Sequence, residues 1–307
     1  MTDITKSQHL KQTKVIITFS GGKDSLACLI WAKNNPEYKN AEMEAVFCDT
    51  GWEHEATYKH INDVIKKIGI KLITIKSKKY NGFVDLAVQK GRFPSAKARF
   101  CTEELKSKPM IDYVLEQRQN LIIVQGIRKD ESKSRSIMNE SCTLFKHYTK
   151  QLPSGKFHNY RKKDVLLWKQ KYNDDIIRPV FHWSGSLVMK YIVENGFKPN
   201  PLYYQGAMRV GCYPCIMCRH SEINNMMTTN PEYVTRLMDA ENRVGRTFFA
   251  PEYIPKWASQ NKDEKTGKTI NTVLDVTNYI QGRNSTLDMF EEDGEDRSCM
   301  SYYGLCE

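Results

Sequence analysis

From residue 14 to residue 127 the chain alternates between two periodicities. Short β-branched runs, apolar at nearly every position, give way to longer stretches with apolar residues every third or fourth position. KVIITFS (14–20) reads as a strand running into glycines, and SLACLIWAKNN (25–35) as a helix closed by NNP. EMEAVFCDTG (42–51) is a second buried strand with an acid and a turn at its C-terminal end. HEATYKHINDVIKKIG (54–69) is an amphipathic helix that Gly69 ends. IKLITIKS (70–77) is a third strand. TEELKSKPMIDYVLEQ (102–117) is helical, with Pro109 kinking it or starting its second half. NLIIVQGI (120–127) is a fourth strand. Strand–helix–strand alternation at this spacing predicts an α/β fold, a doubly wound parallel sheet with right-handed crossovers.

Beyond this region the pattern weakens. Residues 133–177 are rich in Lys, Asn, Ser and Tyr and read as an insertion with some local structure. SGSLVMKYIVENGF (184–197) is a helix with a serine at its start as a candidate cap. After about residue 220 the chain is polar and helical, then loop-rich. The expected division is an α/β domain over 1–220 and a mostly helical extension over 221–307. No internal repeat is visible.

Composition narrows the class. With 307 residues, 40% of them hydrophobic, the chain can build a real core. No apolar run approaches the ~20 residues that span a bilayer, and the polar first residues lack a signal-peptide core. The expectation is a cytoplasmic protein with no membrane partner. A formal net charge of +10 suits either a basic, soluble surface or an anionic partner, nucleotide or nucleic acid.

Ligands of such sheets bind beyond the carboxyl ends of the strands. Here the first, second and fourth strands end in SGGKDS, CDTG and GIRKDES. In the first, Gly21 and Gly22 let a phosphate approach backbone N–H groups at a helix N-terminus. Lys23 adds a point charge, Ser20 and Ser25 add hydroxyls, and Asp24 either holds a cation or tethers the loop. Neither G-x-x-x-x-G-K-[ST] nor G-x-G-x-x-G is present. At the second strand end Asp49 can accept from a ribose hydroxyl, bind Mg²⁺ or cap the next helix. In the turn from Gly126, Arg128 and Arg135 can neutralise phosphates, although Arg135 can equally be solvated.

SGGKDS resembles the signature loop of the PP-loop, or adenine nucleotide α-hydrolase, superfamily, which holds the pyrophosphate end of ATP. Within it the chain resembles the phosphoadenosine phosphosulfate (PAPS) reductase family. The matching segments are CDTGWEHEATYKHI (48–61), RFCTEELKSKP (99–109), GIRKDESKSR (126–135) and the long run RPVFHW…NPLYY…GCYPC (178–215). They occur in the family's order between residue 14 and about 220; residues 221–307 carry no such likeness. The resemblance implies adenine nucleotide bound by Ser20, Gly21, Gly22, Lys23, Asp24, Ser25, Asp49, Gly126, Arg128 and Arg135. Lys23, Asp24, Asp49 and Arg128 would be catalytic, with Mg²⁺ on the carboxylates.

Of nine cysteines, Cys28 and Cys48 lie in apolar stretches and read as core residues. Cys212, Cys215 and Cys218 form a C-x-x-C-x-x-C run, which points to a metal or cluster site with a fourth ligand elsewhere. Family members with a [4Fe-4S] cluster use a Cys-Cys pair and a later Cys-x-x-Cys. Phe100 replaces the first of the pair here, so the resemblance implies Cys101, Cys212, Cys215 and Cys218, with Cys142 in reserve. Four thiolates suit Zn²⁺ equally well. Cys299 and Cys306 lie in a tail without the Glu-Cys-Gly-hydrophobic-His motif of the reductases.

Two reactions follow from the resemblance. One is attack of a cysteine on the sulfur of adenylyl sulfate or its 3′-phosphorylated form, releasing sulfite. The other is ATP cleavage to AMP and pyrophosphate, activating an acceptor for sulfur transfer. The intact Lys23–Asp24 loop and the missing tail motif favour the second. The combination resembles the cluster-bearing enzyme of DNA phosphorothioation and cluster-dependent tRNA thiolases. Expected partners are therefore adenine nucleotide, a DNA or tRNA acceptor and a sulfur-donor protein. A non-catalytic, nucleotide-gated nucleic-acid binder is the reading from a different class.

Overall fold

The computed structural model describes residues 13–285, with 153, 154 and 265 excepted. Its centre is a six-stranded sheet in the order β3-β2-β1-β4-β6-β5. The strands are β1 (Thr13–Thr18), β2 (Glu42–Cys48), β3 (Lys71–Ile75), β4 (Asn120–Val124), β5 (Ser141–Thr143) and β6 (Asp174–Ile177). All pairings are parallel except β5 on β6, which is antiparallel. The doubly wound α/β expectation therefore holds, and each of the four strands read from the sequence is present.

Alternation along β1 shows why the sheet needs helices on both faces. Val15 and Ile17 point into a core shared with α1 (Lys23–Asn34), α2 (Glu55–Ile68) and α6 (Gly185–Glu194). Ile16 points to the opposite core, with Met110, Ile111 and Val114 of α4 (Lys108–Glu116) and Trp168 of α5 (Lys162–Lys169). Cys28 and Cys48 are buried in these cores, as their surroundings in sequence imply. Gly69 ends α2 in a left-handed cap, and the Ser184 side chain accepts the Leu187 N–H at the start of α6. Pro109 falls in the first turn of α4, after a π-turn over Glu103–Ser107.

Residues 133–177 do more than form an insertion with local structure. They supply β5 and β6, the far edge of the main sheet. Both strands are short, three and four residues, and β6 reads DDII, so neither carries a strand-length apolar pattern.

Beyond residue 219 come α7 (His220–Thr229), α8 (Glu232–Val244), a small hairpin and α9 (Val273–Ser285). Their apolar faces build a third cluster with Trp52, Tyr80, and the Phe83, Leu86 and Ala87 of α3 (Phe83–Lys90). Among the described residues no helix is long and apolar enough to cross a membrane.

Candidate nucleotide site

Strand order reverses between β1 and β4, so a crevice opens beyond their carboxyl ends. The loop Ser20–Ser25 lies at its floor. Gly21 has φ +84°, and a Cβ there would lie 2.9 Å from Thr57 Cγ2 and 3.0 Å from Ile61 Cγ1 of α2. Only glycine tolerates both conditions. Gly22 stands at the N-cap of α1 with no side chain to cap it. Neighbouring hydroxyls partly replace the missing cap. The Gly22 N–H donates to Ser20 Oγ at 3.4 Å and the Lys23 N–H to Tyr203 Oη at 3.0 Å. Ser25 Oγ donates to the Gly22 carbonyl at 3.0 Å. An arriving phosphate can replace such hydroxyls at a helix N-terminus. Lys23 Nζ lies 5.0 Å from the centre of the Tyr203 ring.

Asp24 is fully buried. Its Oδ1 accepts from Arg128 Nε at 2.7 Å, and Oδ2 lies 3.7 Å from Lys23 Nζ. Of the two roles the sequence leaves open for Asp24, the geometry is that of a tether, tying the loop to the turn after β4. Gly126 allows this closeness. A Cβ on it would lie 2.5 Å from Ser25 N and 2.6 Å from the Asp24 carbonyl carbon. Arg128 is held in turn by Glu131, whose Oε1 is 3.9 Å from Nη2. Arg135 is buried, not solvated, and pairs with the same Glu131 through Nη1.

The second strand end converges from the other side. The Gly51 N–H donates to Asp49 Oδ1 at 2.9 Å, closing an Asx turn. Tyr58 Oη lies 2.7 Å from Asp49 Oδ1 and 2.9 Å from Glu53 Oε2. Burial works against ionisation of Asp49, but hydrogen bonds from Lys76, Tyr58 and Gly51 outweigh it and hold the carboxyl below its ordinary pKa. Burial, then the charges of Glu53 and Asp49, push the Tyr58 phenol upward, so it stays a donor. Glu53 is buried and also accepts from Thr50 N, Thr50 Oγ1 and Trp52 N at 3.2, 2.6 and 3.2 Å. A cavity of about 10 Å³, room for one water, lies between Ser20, Glu53, Lys106 and Gly211.

The C-x-x-C segment packs against this turn. Cys212 bridges to Glu53, the Tyr213 N–H donates to the Trp52 carbonyl at 2.8 Å, and Trp52 Nε1 donates to the Pro214 carbonyl at 3.0 Å. Cys218 is buried in the third cluster, and Cys101 and Cys212 pack against it. The Cys218 N–H donates to the Cys215 carbonyl at 2.9 Å. The donor set is of the type that holds zinc or iron–sulfur clusters, and its members share one neighbourhood. Among the described residues no three such groups close to metal-holding distance. Cys142 lies apart on β5, where Arg178 Nη2 is 3.6 Å from its sulfur. Cys299 and Cys306 lie outside the described residues.

The structure thus gathers Ser20–Ser25, Gly126 and Arg128 into one constellation, with Arg135 behind Glu131. Asp49 joins Glu53 at the neighbouring strand end. Sequence reasoning missed Glu53, Tyr58, Tyr203 and Arg236. Glu53 and Tyr203 were visible within the family-like segments as a polar residue at a strand end and one of two tyrosines. Arg236 carried no signal: its guanidinium lies 3.9 Å from the centre of the Trp52 ring and donates to the Gly51 and Glu53 carbonyls at 2.8 and 3.2 Å.

Comparison with known proteins places the chain in a family. The phosphoadenosine phosphosulfate reductase domain family matches residues 14–218. A 37.8 kDa protein of Escherichia phage 186 is 28% identical over 95% of this chain and 96% of its own length. A protein of Methanocaldococcus jannaschii is 29% identical over 71% of this chain, which spans only 39% of that protein. An adenosine 5′-phosphosulfate reductase of Streptomyces coelicolor is 24% identical over 56% of this chain and 61% of its own. With the match covering residues 14–218, the strand-end loop and the C-x-x-C segment included, the chain belongs to the phosphoadenosine phosphosulfate reductase domain family.

Proposed function

We propose that this protein binds ATP at the β1–α1 loop and cleaves it to AMP and pyrophosphate, activating an acceptor for sulfur transfer to nucleic acid. The observation that carries this reading is the intact loop, with Lys23 at the mouth of α1 and Asp24 locked to Arg128 beneath it. Cleavage between the α- and β-phosphates puts charge on the departing pyrophosphate. Lys23 meets that charge directly, and the loop N–H groups are oriented before the substrate arrives. Arg128 has Nε committed to Asp24, which fixes the plane of its guanidinium. Asp49 and Glu53, at the second strand end, would hold a magnesium ion that supplies further charge neutralisation. Cys101, Cys212, Cys215 and Cys218 would hold an iron–sulfur cluster, or zinc, supplying a site for the transferred sulfur.

A second reading has a specific observation behind it. Family membership and the Streptomyces relative favour sulfonucleotide reduction. Two assays separate them. Pyrophosphate release from ATP and Mg²⁺, in the presence of single-stranded DNA or tRNA, is expected and should be lost in Lys23→Ala. Robust sulfite release from adenylyl sulfate or its 3′-phosphorylated form, driven by thioredoxin and dependent on Cys306, would make the protein a reductase instead.

A further inference from the structure

A groove of about 570 Å³ runs along the outer side of α2, away from the phosphate loop. That volume is within the ~300–1,000 Å³ range of sites that take a small ligand. One wall is α2, with Ala56, Lys59, His60, Asp63, Val64 and Lys67; the other is the segment 196–204. Three features point to a ligand. First, Lys59, Lys67 and Lys198 line the groove against a single aspartate, Asp63. Second, the groove offers aromatic surface. Tyr204 is 70% exposed, and half-buried Phe197 lines the same wall, with Lys67 Nζ 4.6 Å from its ring centre. Third, His60 lines the groove at only 7% exposure, and its Nε2 is buried without a hydrogen bond. A buried polar atom without a partner is costly and calls for an explanation.

We propose that this groove docks single-stranded nucleic acid, with a base against Tyr204 and Phe197, adjacent phosphates on Lys59 and Lys198, and His60 Nε2 meeting a polar atom of the base or sugar. The occupant follows from the chemistry of the lining. Lysines alone would suit any polyanion, but the exposed Tyr204 ring adds affinity only for bases that are unstacked, as in a single strand. A duplex keeps its bases stacked and would reach only the lysines. The phosphodiester and base are common to DNA and RNA, and the groove does not choose between them.

The position gives the site a purpose. Tyr204 lies in the same short helix (Pro201–Gln205) as Tyr203, whose hydroxyl accepts the Lys23 N–H. Asn200, just before it, donates to the Gly21 carbonyl and to Thr57 Oγ1, both at 3.3 Å. A strand seated in the groove would therefore brace the wall that shapes the phosphate loop. As the docking place of an acceptor, the groove rests on the proposed reaction, but strand binding can be measured without ATP cleavage.

The experiment is fluorescence anisotropy of the full chain with a short labelled single strand, as DNA and as RNA, titrated over a series of salt concentrations. Annealed duplex and inorganic polyphosphate are the competing probes. Tyr204→Ala is expected to weaken binding on the order of tenfold or more, and Tyr204→Phe to retain it. Lys59→Ala and Lys198→Ala are each expected to reduce the slope of log K against log salt by ~0.7. His60→Leu should weaken binding at unchanged slope. Lys262→Ala, on the small hairpin and outside the groove lining, should bind as the native chain does, which separates this groove from general surface charge. If Tyr204→Ala and the lysine variants, folded by circular dichroism, bind like the native chain, the inference is wrong. Equal binding of duplex or polyphosphate would also overturn it, leaving plain charge attraction. Loss of pyrophosphate release with binding intact would count against the proposed reaction alone.

Discussion

Replacing Gly126 with alanine tests the tether between the two strand ends most directly. The new Cβ would lie 2.5 Å from Ser25 N, 2.6 Å from the Asp24 carbonyl carbon and 2.8 Å from Ser25 Cα. Ordinary contact begins near 3.4 Å, so a gap of 0.9 Å must open. No flexible side-chain end can yield there; both partners are backbone, one leaving the sheet and the other opening α1. Overpacking of this kind costs about 1–3 kcal/mol, which for a domain of this size lowers the melting midpoint by roughly 2–12 °C. The displacement falls on the phosphate loop itself. A misplacement on the order of 1 Å at a reacting centre can cost ~100-fold in rate. Differential scanning calorimetry and isothermal titration with a non-hydrolysable ATP analogue read the two effects. Gly282→Ala is the control: it lies in α9, and among the described residues nothing beyond its own helix comes within 4 Å of its built Cβ, so it should stabilise by about 0.5–1 kcal/mol. If Gly126→Ala melts and binds nucleotide like the native chain, the close-approach reasoning is refuted.

Arg128→Ala takes the guanidinium away from the buried Asp24 carboxylate and should destabilise by about 3–5 kcal/mol, with Asp24→Asn restoring part of the loss in chemical denaturation. Burial lowers the His60 pKa from 6.5 to about 4. Below 6.5 the unfolded chain takes up a proton that the folded chain refuses until about pH 4, so the stability contributed by neutral His60 is present above 6.5 and lost through that window. It is on the order of 3 kcal/mol. His54, His147 and His158 are shifted in the same direction, burial being the first cause in each, so His60→Leu should flatten the acid side of the melting profile only in part. Anaerobically purified protein should contain iron and acid-labile sulfide with broad visible absorbance, lost in Cys215→Ser; one tightly bound zinc and no iron would decide for the rival ligand.

What could be read from the sequence was local. A β-branched run ending in SGGKDS fixes strand, turn and helix start within a dozen residues, and the structure places them so. Asp49 was legible only as a polar residue at a strand end: its carboxylate closes an Asx turn with Gly51 and does not cap the next helix, where His54 accepts the Ala56 N–H instead. Contacts between distant segments left no such trace. Whether Arg135 was solvated or buried depended on Glu131 and on how the turn after β4 folds back. Strands β5 and β6 were missed because three- and four-residue strands bounded by polar residues derive their stability from the sheet edge they join. Cys28 and Cys48 were placed correctly because apolar neighbours on both sides are themselves a local signal.

Arg236 has a consequence for how the chain must be made. Its guanidinium stacks on Trp52 and closes hydrogen bonds to Gly51 and Glu53, across 185 and 183 residues of chain. The turn that presents Asp49 is synthesised early, yet it lacks its lid until α8 has left the ribosome. Domains generally fold as units while the chain emerges. Here the sheet can form first while the rim of the crevice waits until residue 236 has emerged. A chain stalled or cut before residue 236 would keep much of its core and lose the edge of its site, so fragments ending near residue 220 are poor stand-ins for the whole protein in any binding assay.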